Sequence, residues 1–162
     1  MKLLHTADWH VGKKLYGVDR YDESREVLAE IAEIAKAEHA DVVLVAGDIL
    51  DRRIVDPMSF GIALDALVAL AMTAPVVVVP GNHDEPEIWR HLSRLLATHR
   101  IVVVDDVRAA QDAVIDVSTR SGLVHVACLP WPEPQRLPLS AGAERGTART
   151  SYAELAEKLV AA

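Results

Sequence analysis

Two short runs limit what this chain can become. Asp41-Val42-Val43-Leu44-Val45-Ala46 and Val76-Val77-Val78-Val79 are rich in valine, and each ends at a glycine, Gly47 or Pro80-Gly81. A strand that is apolar at successive positions must be covered on both faces, which is the situation of a strand inside a parallel sheet. The segments around these runs carry helical spacing instead. Val27, Leu28, Ile31, Ile34 and Ala35 recur along one side of a helix predicted from Asp22 to Glu38, and Glu and Lys fill the other side. Pro57 to Met72 reads as a second helix with proline in its tolerated first turn, and Glu85 to Thr98 as a third. Further strands are expected at 2–7, 101–104, 113–117 and 123–129. This alternation of strand and helix predicts an α/β fold, a parallel or mixed sheet with helices packed on it.

Composition narrows the function classes. The 162 residues are 51% apolar, enough for one ordered domain with a real core. The longest apolar stretch, Ala66 to Val79, is broken by Thr73 and Pro75 and is too short to span a bilayer. The N-terminus lacks the apolar stretch and cleavage site of a signal peptide. One cysteine, Cys128, excludes an internal disulfide and fits a reducing, cytoplasmic setting; its apolar neighbours predict a small buried side chain. A net charge of −7 argues against broad tracking along a nucleic-acid backbone. Bound divalent ions would reverse that sign locally.

Three segments then stand out, each at the end of an apolar run: Asp8-Trp9-His10, Gly47-Asp48-Ile49-Leu50-Asp51 and Gly81-Asn82-His83-Asp84. They gather oxygen and nitrogen donors at strand ends, where open α/β sheets place their chemistry. Asp8 and His10 are two apart, so extended backbone would turn both to one face. Asp48 follows a buried strand and a glycine, where a carboxylate reaches into the crevice. Asn82 offers a neutral amide oxygen and His83 an acid. The remaining histidines read differently. His39, His91 and His99 fall on or at the ends of helices and are expected to be exposed, while His5 and His125 are expected in the core or at the surface. Lys13, Lys14, Arg20, Arg52 and Arg53 flank the motif loops, either as phosphate contacts or as ordinary solvated surface.

In this order the three segments resemble the D-x-H, G-D-x-x-D and G-N-H-[DE] motifs of the calcineurin-like metallophosphoesterases. The context Met1 to Gly12, Leu15-Tyr16-Gly17, Arg20-Tyr21-Asp22 and Leu129-Pro130-Trp131 is similar to the SbcD branch, the bacterial nuclease subunits related to Mre11. Ser/Thr protein phosphatases fit less well, since they carry Gly and Glu where this chain has Arg53 and Asp84. The resemblance implies a metallophosphoesterase-type layered sheet core flanked by helices, and two divalent metal ions, most often Mn2+. It makes Asp8, His10 and Asp48 ligands of the first ion, with Asp48 bridging to a second that Asn82 also binds. His83 would contact the scissile phosphate or protonate the leaving oxygen, and Asp84 would orient His83. It further implies DNA as substrate, an exonuclease and endonuclease role in repair or recombination, and an SbcC/Rad50-like ABC ATPase as partner. A homodimer through helices 57–72 and 86–98 belongs to the same expectation, helix 57–72 being apolar on more than one face.

The family's later elements, a lone His and a G-H-x-H pair, have no counterpart among the 162 residues. The expectation is therefore a truncated domain: residues 1–131 as its N-terminal part, a Pro-, Gly- and Arg-rich connector at 132–150, and a helix at 151–162 with Ser151 as cap and Glu154 at the capping-box position. Such a fragment alone is expected to bind manganese weakly and to lack appreciable nuclease activity. Two other functions stay open: a phosphoesterase for small phosphodiesters or nucleotides, and an inactive dimerising or partner-binding fragment.

Overall fold

The computed structural model describes residues 1–105 and 113–131. In chain order the elements are β1 (Leu3–Ala7), β2 (Lys14–Leu15), β3 (Val18–Asp19), α1 (Tyr21–Ala37), β4 (Val42–Ala46), α2 (Pro57–Thr73), β5 (Val76–Val79), α3 (Pro86–Ala97), β6 (Ile101–Val103), β7 (Val114–Thr119) and β8 (Gly122–Ala127). The predicted strands and helices form within a few residues of their expected ends. The β2–β3 hairpin is new, because its two-residue strands are too short to show a period. The connector at 132–150 and the helix at 151–162 lie outside the described residues.

Strands β1, β4, β5 and β6 form one parallel sheet in that order. Its register runs Leu4 to Val43 to Val76 to Ile101, and Ala7, Ala46 and Val79 align near the other end. Each crossover steps in the same direction, and right-handed connections of that kind bring their helices to one face. Alternation along the valine runs then divides them between two cores. Val43, Val45, Val76, Val78, Ile101 and Val103 pack with Leu28, Ile62, Leu67, Leu70, Trp89 and Leu96 from the three helices. Val42 and Val77 face the opposite way and meet Val104, Val117 and Cys128, with Leu44 and Val79 beside them. Among the described residues the cover on that side is the antiparallel β7–β8 hairpin. Full burial of both valine sets follows from this sandwiching, and Cys128 is buried as expected.

Helix α2 shows why it lacks a polar face. Ile62, Ala63, Ala66, Leu67, Leu70 and Ala71 are buried between α1 and the sheet within this one chain. Leu67 is fully buried, so its substitution would report on folding and not on any dimer. Met58 and Met72 are exposed. Among the described residues no helix is long and apolar enough to cross a membrane.

The helix starts on Asp56, whose carboxylate accepts from the Ser59 backbone N–H at 2.9 Å, the Ser59 hydroxyl at 2.5 Å and the Tyr21 hydroxyl at 3.2 Å. Burial pushes this carboxyl up, but the Ser59 and Tyr21 bonds outweigh it and hold the group below the ordinary carboxylate range. The ionised form is thus the stabilising one, and its contribution is lost as pH falls through that lowered value. We expect Asp56→Ala to cost about 1–2 kcal/mol at pH 7, the usual scale of a lost N-cap. Urea unfolding across pH should show the variant and the parent converging toward the acid end.

Candidate metal centre

The three motif loops leave the carboxyl ends of neighbouring strands, β1, β4 and β5, so the parallel sheet alone brings them together. The loops after β1 and β4 then run on side by side. Asp8 N–H donates to Gly47 O at 3.2 Å, His10 to Asp48 O at 2.9 Å, Val11 to Ile49 O at 3.0 Å, and Asp51 returns to Val11 O at 3.0 Å. Within this ladder Asp8, His10 and Asp48 take φ of 54°, 45° and 35°, and Gly47 takes 80°. Non-glycine residues in this region cost roughly 1–3 kcal/mol each and persist where their surroundings force them. The extended geometry expected for Asp8 and His10 is therefore not what joins them. The chain kinks at each ligand-bearing residue, and the cross-loop hydrogen bonds sustain the kinks.

The result is a compact donor cluster. Ligand atoms of Asp8, His10 and Asp48 all lie within 4.8 Å of one another. His10 Nε2 stands 3.9 Å from Asp48 Oδ2, while Nδ1 lies 3.4 Å from Asp51 Oδ1. That second contact is too poorly formed to count as a hydrogen bond, so the buried Nδ1 has no hydrogen-bond partner. Asp48 Oδ1 also accepts from the His83 backbone N–H at 3.0 Å. Two carboxylates and an imidazole converging within 4.8 Å fit a divalent cation of the Mn, Fe or Zn type.

His83 lies at the side of this cluster, its ring 5.0 Å from that of His10 and nearly perpendicular to it. Its Nδ1 is 2.6 Å from the Asp51 carbonyl oxygen, which can only accept. The proton is therefore on Nδ1, and Nε2 is the nitrogen left for chemistry. Asp51, His10 and His83 form a second, overlapping donor group. Asp51 adds to the expected site residues, although the G-D-x-x-D spacing contains the signal. Asn82 is exposed at the rim, and its carbonyl oxygen accepts from Arg53 Nε and Nη2 at 3.4 Å each.

A family profile for calcineurin-like phosphoesterases matches residues 1–128. The chain belongs to that family. It is 34% identical over 139 residues to the SbcD subunit of the nuclease SbcCD from Bacillus subtilis, covering 85% of this chain and 35% of the relative. Against the SbcD subunit from Rhodobacter capsulatus it is 34% identical over 159 residues, 91% of this chain and 39% of the relative. The Staphylococcus saprophyticus counterpart is 33% identical over 110 residues, 66% of this chain and 29% of that one. The chain thus spans about three tenths to two fifths of the length of these curated relatives. Members of this family are hydrolases that use divalent metals, and the donor clusters above are where such ions would be held.

The carboxylate of Asp84, the residue expected to orient His83, bonds to backbone groups. Asp84 is wholly buried, and its carboxylate accepts from the backbone N–H groups of Gly81 (2.8 Å), Leu50 (2.9 Å) and Ile49 (3.0 Å). It fastens the loop after β5 to the loop after β4. Burial pushes its carboxyl above the usual range, against the pull of those three donors, and Asp48 adds to the rise. Gly81 completes the fastening by close approach: a Cβ there would lie 2.1 Å from Asp48 Oδ1 and 2.3 Å from Asp48 N.

Two substitutions test this arrangement. Asp84→Asn keeps the shape but turns an NH2 toward a ring of N–H donors, and should cost about 2–3 kcal/mol in stability. Gly81→Ala must displace Asp48, so Mn2+ affinity measured by calorimetry should fall at least roughly tenfold, as for other supports of metal ligands. Gly61→Ala, where a Cβ would meet nothing within 4 Å on helix α2, is the control. It should leave metal affinity alone and raise stability by about 0.5–1 kcal/mol.

Proposed function

We propose that this chain carries the N-terminal part of an SbcD-like, manganese-dependent DNA nuclease that hydrolyses phosphodiester bonds. The convergence of Asp8, His10 and Asp48 beside a histidine with a free Nε2 carries the reading, and the similarity to the SbcD subunit of nuclease SbcCD supports the choice of DNA. Asp8, His10 and Asp48 would hold one ion, and Asp48 with Asn82 would contribute to a second. When bound, such ions polarise phosphate oxygens and activate water at neutral pH. His83, held through Nδ1–H by the Asp51 carbonyl, would present Nε2 toward the leaving sugar oxygen; as the doubly protonated imidazolium it would give that oxygen the Nε2 proton and return to the Nδ1–H form. Asp84 keeps His83 and Asp48 in register by tying their loops together. An SbcC-like ABC ATPase as partner, a role in DNA repair or recombination, and a homodimer using the outer surfaces of α2 and α3 belong to the same reading.

The 162 residues alone should bind a single manganese ion weakly and cleave little, since they offer three ligands to one position and two to the other. Joined to the C-terminal portion of its Bacillus subtilis relative, the chain should cut hairpin DNA and duplex ends in millimolar manganese. His83→Ala in that protein should lower turnover about 100-fold or more while manganese affinity changes little, as expected for loss of a general acid. A preference for cyclic nucleotides or other small phosphodiesters over DNA would favour the small-substrate phosphoesterase instead.

A further inference from the structure

We propose that the β2–β3 hairpin is a base-stacking tip, with Tyr16 as the platform for an unpaired nucleotide beside the candidate metal centre; this rests on the nucleic-acid reading above. The hairpin pairs Lys14 with Asp19 and Leu15 with Val18, leaving a two-residue loop of Tyr16 and Gly17. Both loop residues have positive φ, 49° and 83°. A turn of this kind favours Asn, Asp or Gly at its first position, and a bulky aromatic there is strained. Tyr16 is 99% exposed, so no packing among the described residues offsets the strain. Leu15 and Val18, 55% and 65% exposed, form an apolar collar beneath it.

The position of the tip suggests what it meets. The hairpin springs directly from the first motif, with Lys13 N–H donating to His10 O at 3.0 Å. Lys13 and Arg20 flank its base and, with Asp8 and His10, line a cleft of about 380 Å³, in which Arg20 is ion-paired with Glu23 of the same lining. Lys13 makes no ion pair among the described residues. Two-residue strands carry the tip roughly 7–10 Å beyond that base. Lys13 in the cleft beside Asp8 and His10, with an exposed aromatic ring three residues along the chain, is a combination that holds single strands, by phosphate contact and by sequence-tolerant stacking. An apolar tip for a protein partner would not explain why Lys13, which makes no ion pair among the described residues, lines the cleft at the base of the hairpin.

The test is fluorescence anisotropy with a labelled oligo-dT strand and a blunt duplex, run in EDTA so that binding is read without bound metal. Tyr16→Phe should bind the single strand like the parent. Tyr16→Asn suits the left-handed turn, so thermal stability should hold or rise while single-strand affinity falls roughly tenfold, the scale of one lost stacking contact. Duplex affinity should change far less. Undiminished single-strand binding by Tyr16→Asn would overturn the proposal, including the case in which the tip docks a protein. If the parent binds no oligonucleotide at all, the nucleic-acid reading itself fails and this inference falls with it.

Discussion

A single buried carboxylate holds the candidate centre in shape. Asp84 receives three backbone N–H groups, one from its own loop and two from the loop after β4, and it does so fully shielded from water. Unsatisfied, each of those donors would carry the desolvation cost of a buried amide, and an unpaired buried carboxylate would cost more. The clamp is therefore strong in both directions: neither loop can shift without exposing charge or orphaning donors. Because Asp48 and His83 sit on these two loops, their separation is inherited from Asp84. Gly81 lets the backbones approach closely enough for the clamp to close.

The remaining positioning comes from the sheet and costs backbone strain. Parallel pairing of β1, β4 and β5 delivers three strand ends to one edge, and both faces of that sheet are covered, by helices on one side and a β-hairpin on the other. On this support Asp8, His10 and Asp48 are held in left-handed conformations by cross-loop hydrogen bonds. A relaxed loop would let the two carboxylates separate to lower their mutual repulsion. The strained ladder keeps them close, which is the condition for binding a cation on arrival rather than folding around it.

Much of this is legible in the chain itself. The valine runs announce buried strands, and strand ends are where a parallel sheet collects its loops, so the meeting of Asp8, His10 and Asp48 follows from the sequence. The local geometry does not. Two residues apart implies one face only if the backbone stays extended, and at Asp8 and His10 it does not. Asp84 beside His83 invites a pairing between neighbours, yet its partners Ile49 and Leu50 are more than thirty residues away and bond through backbone groups, which have no sequence signature. Asp51 escapes for a similar reason, since its carbonyl holds His83 while its side chain faces His10. The layer over the second sheet face is also hidden, because an alternating hairpin and a helix can satisfy the same valines.

The overlap of two donor groups at His10 makes the location of a bound ion the most direct test of the centre. Crystals of the chain soaked in manganese and measured near the manganese absorption edge would locate it by anomalous scattering. The expected peak is bounded by Asp8, His10 and Asp48. A peak among His10, Asp51 and His83 with the two motif carboxylates unligated, or none at millimolar manganese, would contradict that assignment.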